Sequence, residues 1–370
     1  MDKRQWKLPI YRFQLLARGF LFWLLCVSVS PAQNLDGPEA AKTKDADKDS
    51  GKQEIGSLKG PSVKAFGPFS KTASAKVEGQ YLVVESNGLP DHGMMVGIRS
   101  WQQQVPLPQP FSGDNAWRIP LNPQPAQQPI SVLKNSLRGA IALAVNGVPI
   151  FCALNNRGDD TYLAGELDRW GGHCGRGDDY HYHIAPVHLE EKAGRGNPIA
   201  FALDGFPLLG FGEADGSIPR GLDKFNGHVH GEGCYHYHAT KEFPYVNGGL
   251  KGVVKLDRDQ VAQPQGANYR SAQSPLRGAT VTKFNREGNS YFVEYEMQNG
   301  STGSVEYIVW DNEQVDFTYT SPSGAKSKSS YKMNSLGGGG VGVYLIWGLP
   351  IGLGLTAVFF IRRRRIKKEE

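Results

Sequence analysis

The chain has 370 residues, with 41 basic and 36 acidic side chains and a formal net charge of +5. The first 18 residues carry Lys3, Arg4, Lys7, Arg12 and Arg18 against Asp2, and the last nine carry Arg362 to Arg365, Lys367 and Lys368 against Glu369 and Glu370. Removing these two ends, each +4, leaves the body at −3, which argues against a basic groove and excludes nucleic acid as the expected partner.

In chain order, residues 1–32 read as an export signal. A basic start leads into the apolar stretch Gly19 to Val29, and Ser30-Pro31-Ala32 supplies a small-x-small cleavage site. That stretch is too short to span a bilayer. Residues 33–66 are rich in Lys, Asp, Glu, Ser, Gly and Ala with almost no aliphatics, the composition of a disordered spacer.

From residue 67 the pattern changes. The 46 glycines and 23 prolines of the chain point to many turns and short strands, so the expected fold class is mainly β. Three segments share one pattern: YLVVESNGLPD at Tyr81 to Asp91, IALAVNGVPIF at Ile141 to Phe151, and IAFALDGFPLL at Ile199 to Leu209. Asn-Gly and Asp-Gly tolerate positive φ at both central turn positions, so each segment is an expected β-hairpin. The turns start at Asn87, Asn146 and Asp204, which marks an internal repeat. The Pro/Gln-rich stretch from about 102 to 130 reads as an extended loop.

The repetition continues in two histidine segments, GHCGRGDDYHYH at Gly172 to His183 and GHVHGEGCYHYH at Gly227 to His238, displaced by 55 residues. The spacing predicts a duplicated hairpin/histidine-loop domain over 67–268, with repeats at about 139–189 and 197–252. Residues 275–334 come next as a small antiparallel meander, predicted as its own domain from alternating stretches such as SYFVEYEM and SVEYIVW. Val341 to Ile361 is an apolar run of 21 residues without a charge, read as a single transmembrane helix. The basic residues of 362–370 place that end in the cytoplasm, which makes the protein type I with its body outside and the membrane as a partner. Gly337 to Gly340, the apolar run and the arginines also resemble the sorting tails of bacterial surface proteins, which a membrane protease removes.

Eight of the nine histidines fall between His173 and His238. Residues two apart in a strand face the same side, roughly 6.5 Å apart. His181 and His183 therefore project together, as do His236 and His238, while Tyr180, Tyr182, Tyr235 and Tyr237 face the other way. His173 and His228, eight residues upstream, close a third position in each copy. Three imidazoles per copy suit a transition metal, zinc or copper, with a place left for water or substrate. Packed face to face, the six would instead make one shared binuclear site.

His230 pairs with His228 but has Gly175 at its matched position, and His188 reads as a surface residue. His92 is a candidate to approach the cluster. Asp178, Asp179 and Glu232 lie in the histidine loops as candidate partners for imidazole N–H groups, and Asp204 reads as a turn residue. Of Cys152, Cys174 and Cys234, an exported setting predicts one disulfide and one free thiol. Cys174 with Cys234 would staple the two copies, and Cys152 with Cys174 is the rival pairing.

GGHCGRGDDYHYH, ALDGFPLLGFG and NGHVHGEGCYHYHATKEFPYVNGGLKG together resemble the YHYH domain family of exported bacterial proteins, over roughly Leu82 to Gly252. The resemblance implies an extracytoplasmic protein and leaves activity and substrate open. The residues alone favour metal binding by the repeated histidines. A zinc- or copper-dependent enzyme and a metal-free interaction module remain the alternatives.

Overall fold

The computed structural model describes residues 60–133, 137–231, 233, 235–333 and 343–345. The expected export signal and most of the spacer lie outside these residues. The end of the spacer is structured: Val63–Phe66 forms a helical turn, and Phe66 is buried against Phe201.

The first strands, β1 (Ala73–Glu78) and β2 (Tyr81–Ser86), pair antiparallel, and β3 (Trp117–Pro120) joins the other side of β2. The first Asn-Gly therefore makes no hairpin with the residues after it. Beyond Gly88, at φ 69°, the chain leaves the sheet, and the Asn87 carbonyl accepts from the Gln109 amide. β4 (Pro125–Ser131) also corrects the reading of a loop over 102–130. Its prolines suit an edge strand, because they withhold donors that an edge does not need.

A single eight-stranded sheet holds both repeats. The first contributes β5 (Ala140–Ala144), β6 (Pro149–Phe151), β7 (Gly172–Cys174) and β8 (Tyr180–Tyr182). The second contributes β9 (Ala200–Ala202), β10 (Pro207–Leu209), β11 (Gly227–Val229) and β12 (Tyr235–His238). Their order is β11-β12-β10-β9-β5-β6-β8-β7, so each repeat runs outward from a central antiparallel pair, β5 with β9. The predicted turns at Asn146-Gly147 and Asp204-Gly205 close the β5–β6 and β9–β10 hairpins. β5 is Ala-Ile-Ala-Leu-Ala and buried at every position, the continuous apolar run of a strand covered on both faces. The histidine strands lie at the two opposite edges of this sheet.

Two short pairs come after it: β13 (Gly249–Gly252) lies against β4, and β14 (Leu256–Asp257) against β15 (Gln260–Val261). The meander forms as expected, from β16 (Ala279–Glu287), β17 (Ser290–Met297), β18 (Thr302–Val309), β19 (Gln314–Thr320) and β20 (Lys326–Lys332), all antiparallel. Period-two alternation buries Tyr291, Val293 and Tyr295 on one face of β17.

That face is not closed by the meander alone. Tyr307 donates to the Pro106 carbonyl at 2.9 Å, Gly97 and Ile98 exchange backbone bonds with Val281, and buried Arg270 holds buried Asp178 through two bonds of 2.8 Å. The meander and the histidine domain thus share one core.

The expected transmembrane helix is overturned where the structure describes it. Val343–Leu345 is β21, paired antiparallel with β20, and no helix among the described residues is long and apolar enough to cross a membrane. The edge of β20 offers residues 343–345 backbone partners. The rest of 341–361 lies outside the described residues.

Candidate metal centre

Each histidine hairpin is built around a carboxylate, buried at Asp168 in the first copy and half-buried at Asp223 in the second. Asp168 accepts from the amides of Trp170 (2.8 Å), Gly172 (3.1 Å) and Met95 (2.8 Å) and from the Tyr180 hydroxyl (2.8 Å). Asp223, 55 residues on, accepts from the amides of Phe225 and Gly227 and from the Tyr235 hydroxyl. The ring of Tyr180 lies across Gly172, where an added Cβ would meet it at 2.6 Å. The glycine of each Gly-His pair is therefore required by the tyrosine packed over it. Tyr182 and Tyr237 point to the same face and meet the turn residues: Asn146 donates to Tyr182 at 2.9 Å, and Tyr237 donates to Asp204 at 2.6 Å. Asp204 also accepts from the Gly252 amide, so it does more than form a turn.

The opposite face carries the imidazoles. In the first copy, His173 lies across from His181 in the β7–β8 register, and Nε2 of His183 stands 3.0 Å from that of His173 and 3.1 Å from that of His181. Backbone carbonyls fix the tautomers. His183 Nδ1 donates to Cys152 O, His181 Nδ1 donates to Asp179 O at 2.9 Å, and His173 is hydrogen-bonded to the backbone of Glu166. A neutral ring whose Nδ1 carries the proton has a lone pair at Nε2. Burial, reinforced by the neighbouring imidazoles, holds His173 and His183 well below the ordinary histidine range, so they are neutral. Lone pairs therefore face one another at about 3 Å. Four tetrahedral ligands at zinc–nitrogen distances would stand about 3.3 Å apart.

The second copy repeats the arrangement and adds a carboxylate. His228 Nδ1 donates to Arg220 O at 2.7 Å, and His238 Nδ1 donates to Gly210 O at 3.1 Å. Glu213 Oε1 stands 2.8 Å from His228 Nε2 and 3.3 Å from His238 Nε2, while Oε2 accepts from His236 Nε2 at 3.2 Å. Despite these distances, Glu213 Oε1, His228 Nε2 and His238 Nε2 are buried without a hydrogen-bond partner, because each offers a lone pair. Burial pushes His238 to about 4, against the pull of the Gly210 carbonyl and the Glu213 carboxylate. In each group the ligand atoms lie within 4.8 Å of one another, and each group could hold a metal ion.

The six predicted histidines thus form two groups of three at opposite sheet edges, and the shared binuclear site is not formed. Glu213 was not among the predicted residues, although the repeat offset points to it. Asn155 and Glu213 are 58 residues apart, as are Asn146 and Asp204. Asn155 N donates to Asp159 O and Gly158 N to Asn155 O, just as Glu213 N donates to Ser217 O and Gly216 N to Glu213 O. The first copy has an amide where the second has a carboxylate. Asn155 turns its amide to Glu166 at 3.1 Å.

The remaining candidates separate. His230 is half-exposed, 3.9 Å from Glu213 and 3.5 Å from Asp215. Asp179 reaches His181 Nδ1 at 3.3 Å, whereas Asp178 is committed to Arg270. Cys152 and Cys174 are both free, which excludes a bridge between them, and Cys234 and Glu232 lie outside the described residues.

His92 sits on the tyrosine face, away from the imidazole cluster, where its Nε2 accepts from Tyr182 at 2.6 Å. His188, expected on the surface, is part-buried against His92 and Trp170, and burial lowers it to about 4, with His92 adding to the shift. Between about 6.5 and 4 such a group binds fewer protons folded than unfolded, so stability falls as pH drops through that window. In chelator-treated protein, His188→Leu should make the loss of urea midpoint between pH 6.5 and 4.5 shallower than in the natural chain. An unchanged slope would show that His188 does not contribute to the acid sensitivity.

Residues 116–217 match the family model described as YHYH protein, so the chain carries a domain of the YHYH family. The match holds the first histidine group, Asn155 and Glu213, while His228, His236 and His238 lie beyond it. Comparisons with curated proteins and with solved structures give no match.

Proposed function

We propose that this chain is an exported protein that binds two transition-metal ions in separate mononuclear centres. One is held by His173, His181 and His183, and the other by Glu213, His228, His236 and His238. The observation that carries the reading is the convergence of acceptor atoms whose other ring nitrogens already donate to carbonyls. Lone pairs that face one another in this way repel until a cation stands between them, and a bound metal supplies that charge.

Imidazole and carboxylate donors suit zinc, and the imidazole groups also suit copper. The backbone carbonyls behind the rings orient them as the outer partners of metal-binding histidines do. Export is supported by the residues of 1–32 and agrees with the resemblance to exported proteins.

Elemental analysis of the purified chain tests the reading. It should find two metal ions per chain, with one lost in His181→Ala/His183→Ala and the other in His236→Ala/His238→Ala. Protein that is isolated without metal and takes up neither zinc nor copper would overturn it.

A further inference from the structure

The two groups differ in what surrounds them. A cavity of about 820 Å³ opens beside the first group, and His173, His181 and His183 form part of its wall. Trp101, Leu133 and Phe151 give the cavity an apolar side, and the Phe151 ring stacks on His181 with centroids 3.9 Å apart. Arg157 and Arg176 also line it. Arg157 is bonded to Asp159 and Glu166, whereas exposed Arg176 makes no ion pair among the described residues.

Charge separates the groups as well. In the second, Glu213 offers a fourth ligand atom and a negative charge. In the first, Asn155 stands at the matched position and its amide is held by Glu166. Three neutral imidazoles would leave a divalent metal with its full charge and an open coordination position, the arrangement of sites that bind water or substrate. A net charge beside a low-dielectric wall favours an anion as the added ligand.

We infer that the cavity at the His173–His181–His183 centre binds a small carboxylate with an apolar body, its acid group completing the coordination and its body lying against Trp101, Leu133 and Phe151. The inference rests on the metal-binding reading of the same histidines. The second centre, completed by Glu213, binds no such ligand.

Cobalt and benzoate make the test. The full chain is loaded with Co²⁺ and its visible spectrum followed as benzoate is added. The His236→Ala/His238→Ala variant isolates the first centre, and His181→Ala/His183→Ala isolates the second. The first centre should respond saturably to benzoate, and the second should not. Arg176→Ala should weaken the response at least ten-fold with Co²⁺ content unchanged, and acetate should bind at least ten-fold more weakly than benzoate.

If a double variant does not fold, Arg176→Ala in the otherwise natural chain still decides the matter. Co²⁺ bound at the first centre with a spectrum indifferent to benzoate, or a response equal in Arg176→Ala, would overturn this inference and leave metal binding intact. Absence of Co²⁺ from the first centre of the natural chain would overturn both.

Discussion

Stripping the protein with a chelator should lower its melting temperature by at least about 10 °C, and restoring zinc should recover it. A ligand at a hundred times its dissociation constant stabilises the folded state by about 2.7 kcal/mol per site, so two centres contribute about 5 kcal/mol. Each kcal/mol moves the midpoint by about 2–4 °C in domains of this size. The structure says where the loss should fall. The histidines couple the edge hairpins β7–β8 and β11–β12 to the carbonyls of Cys152 and Gly210, just after β6 and β10. Removing the metal leaves facing lone pairs at the first edge, and at Glu213 Oε1, His228 Nε2 and His238 Nε2 at the second, while the central β5–β9 pair keeps its apolar cover. Calorimetry at fixed free zinc checks the midpoint, and amide exchange should show the edge hairpins deprotected before the centre. A midpoint that responds to neither chelator nor zinc would count against the metal centres.

Arg270→Met should destabilise the fold by about 3–5 kcal/mol, the cost of leaving a buried charge without its partner. Arg270 bonds both oxygens of Asp178, the Gln103 carbonyl and the Tyr319 hydroxyl, and its guanidinium lies 4.6 Å from the centre of the Phe317 ring. It therefore ties the first histidine loop to the meander. Burial raises the Asp178 carboxyl above its ordinary range, and Arg270 opposes that rise. In the variant burial acts without Arg270 to oppose it, only the Val105 amide still favouring the carboxylate, so the folded state holds a proton that the unfolded state releases at about pH 3.9. Protonation then favours folding, and the variant's deficit should narrow as pH falls from 7 to 5. Urea denaturation at both pH values measures it. A deficit below about 1 kcal/mol at pH 7 would show that the pair is not the tie described.

The histidine groups were largely legible because duplication displays itself. Two Gly-His and Tyr-His-Tyr-His segments at one displacement locate three matched imidazoles, and strand geometry separates them from the tyrosines. The carboxylates were harder. Asp168 and Asp223 precede the Gly-His pairs at matched positions, yet a lone aspartate in a loop reads as solvated until a tyrosine packs over it. Glu213 has Asn155 as its counterpart, so the repeat conceals it by changing residue type between copies. The reading of the first Asn-Gly turn failed because β2 finds its partners in β1 and β3, and pairing of that range is invisible to local pattern. The C-terminal apolar run misled for a related reason. Hydropathy alone does not distinguish a spanning helix from residues such as Val343 to Leu345, which add to a sheet edge.

Anomalous scattering from a zinc-loaded crystal would locate the bound ions. Two peaks per chain are expected. One should lie about 2.0–2.1 Å from the Nε2 atoms of His173, His181 and His183, and the other at the same distance from those of His228, His236 and His238 with a Glu213 oxygen beside it. Zinc found only at surface carboxylates, or no ordered zinc at either group, would contradict metal binding by these histidines.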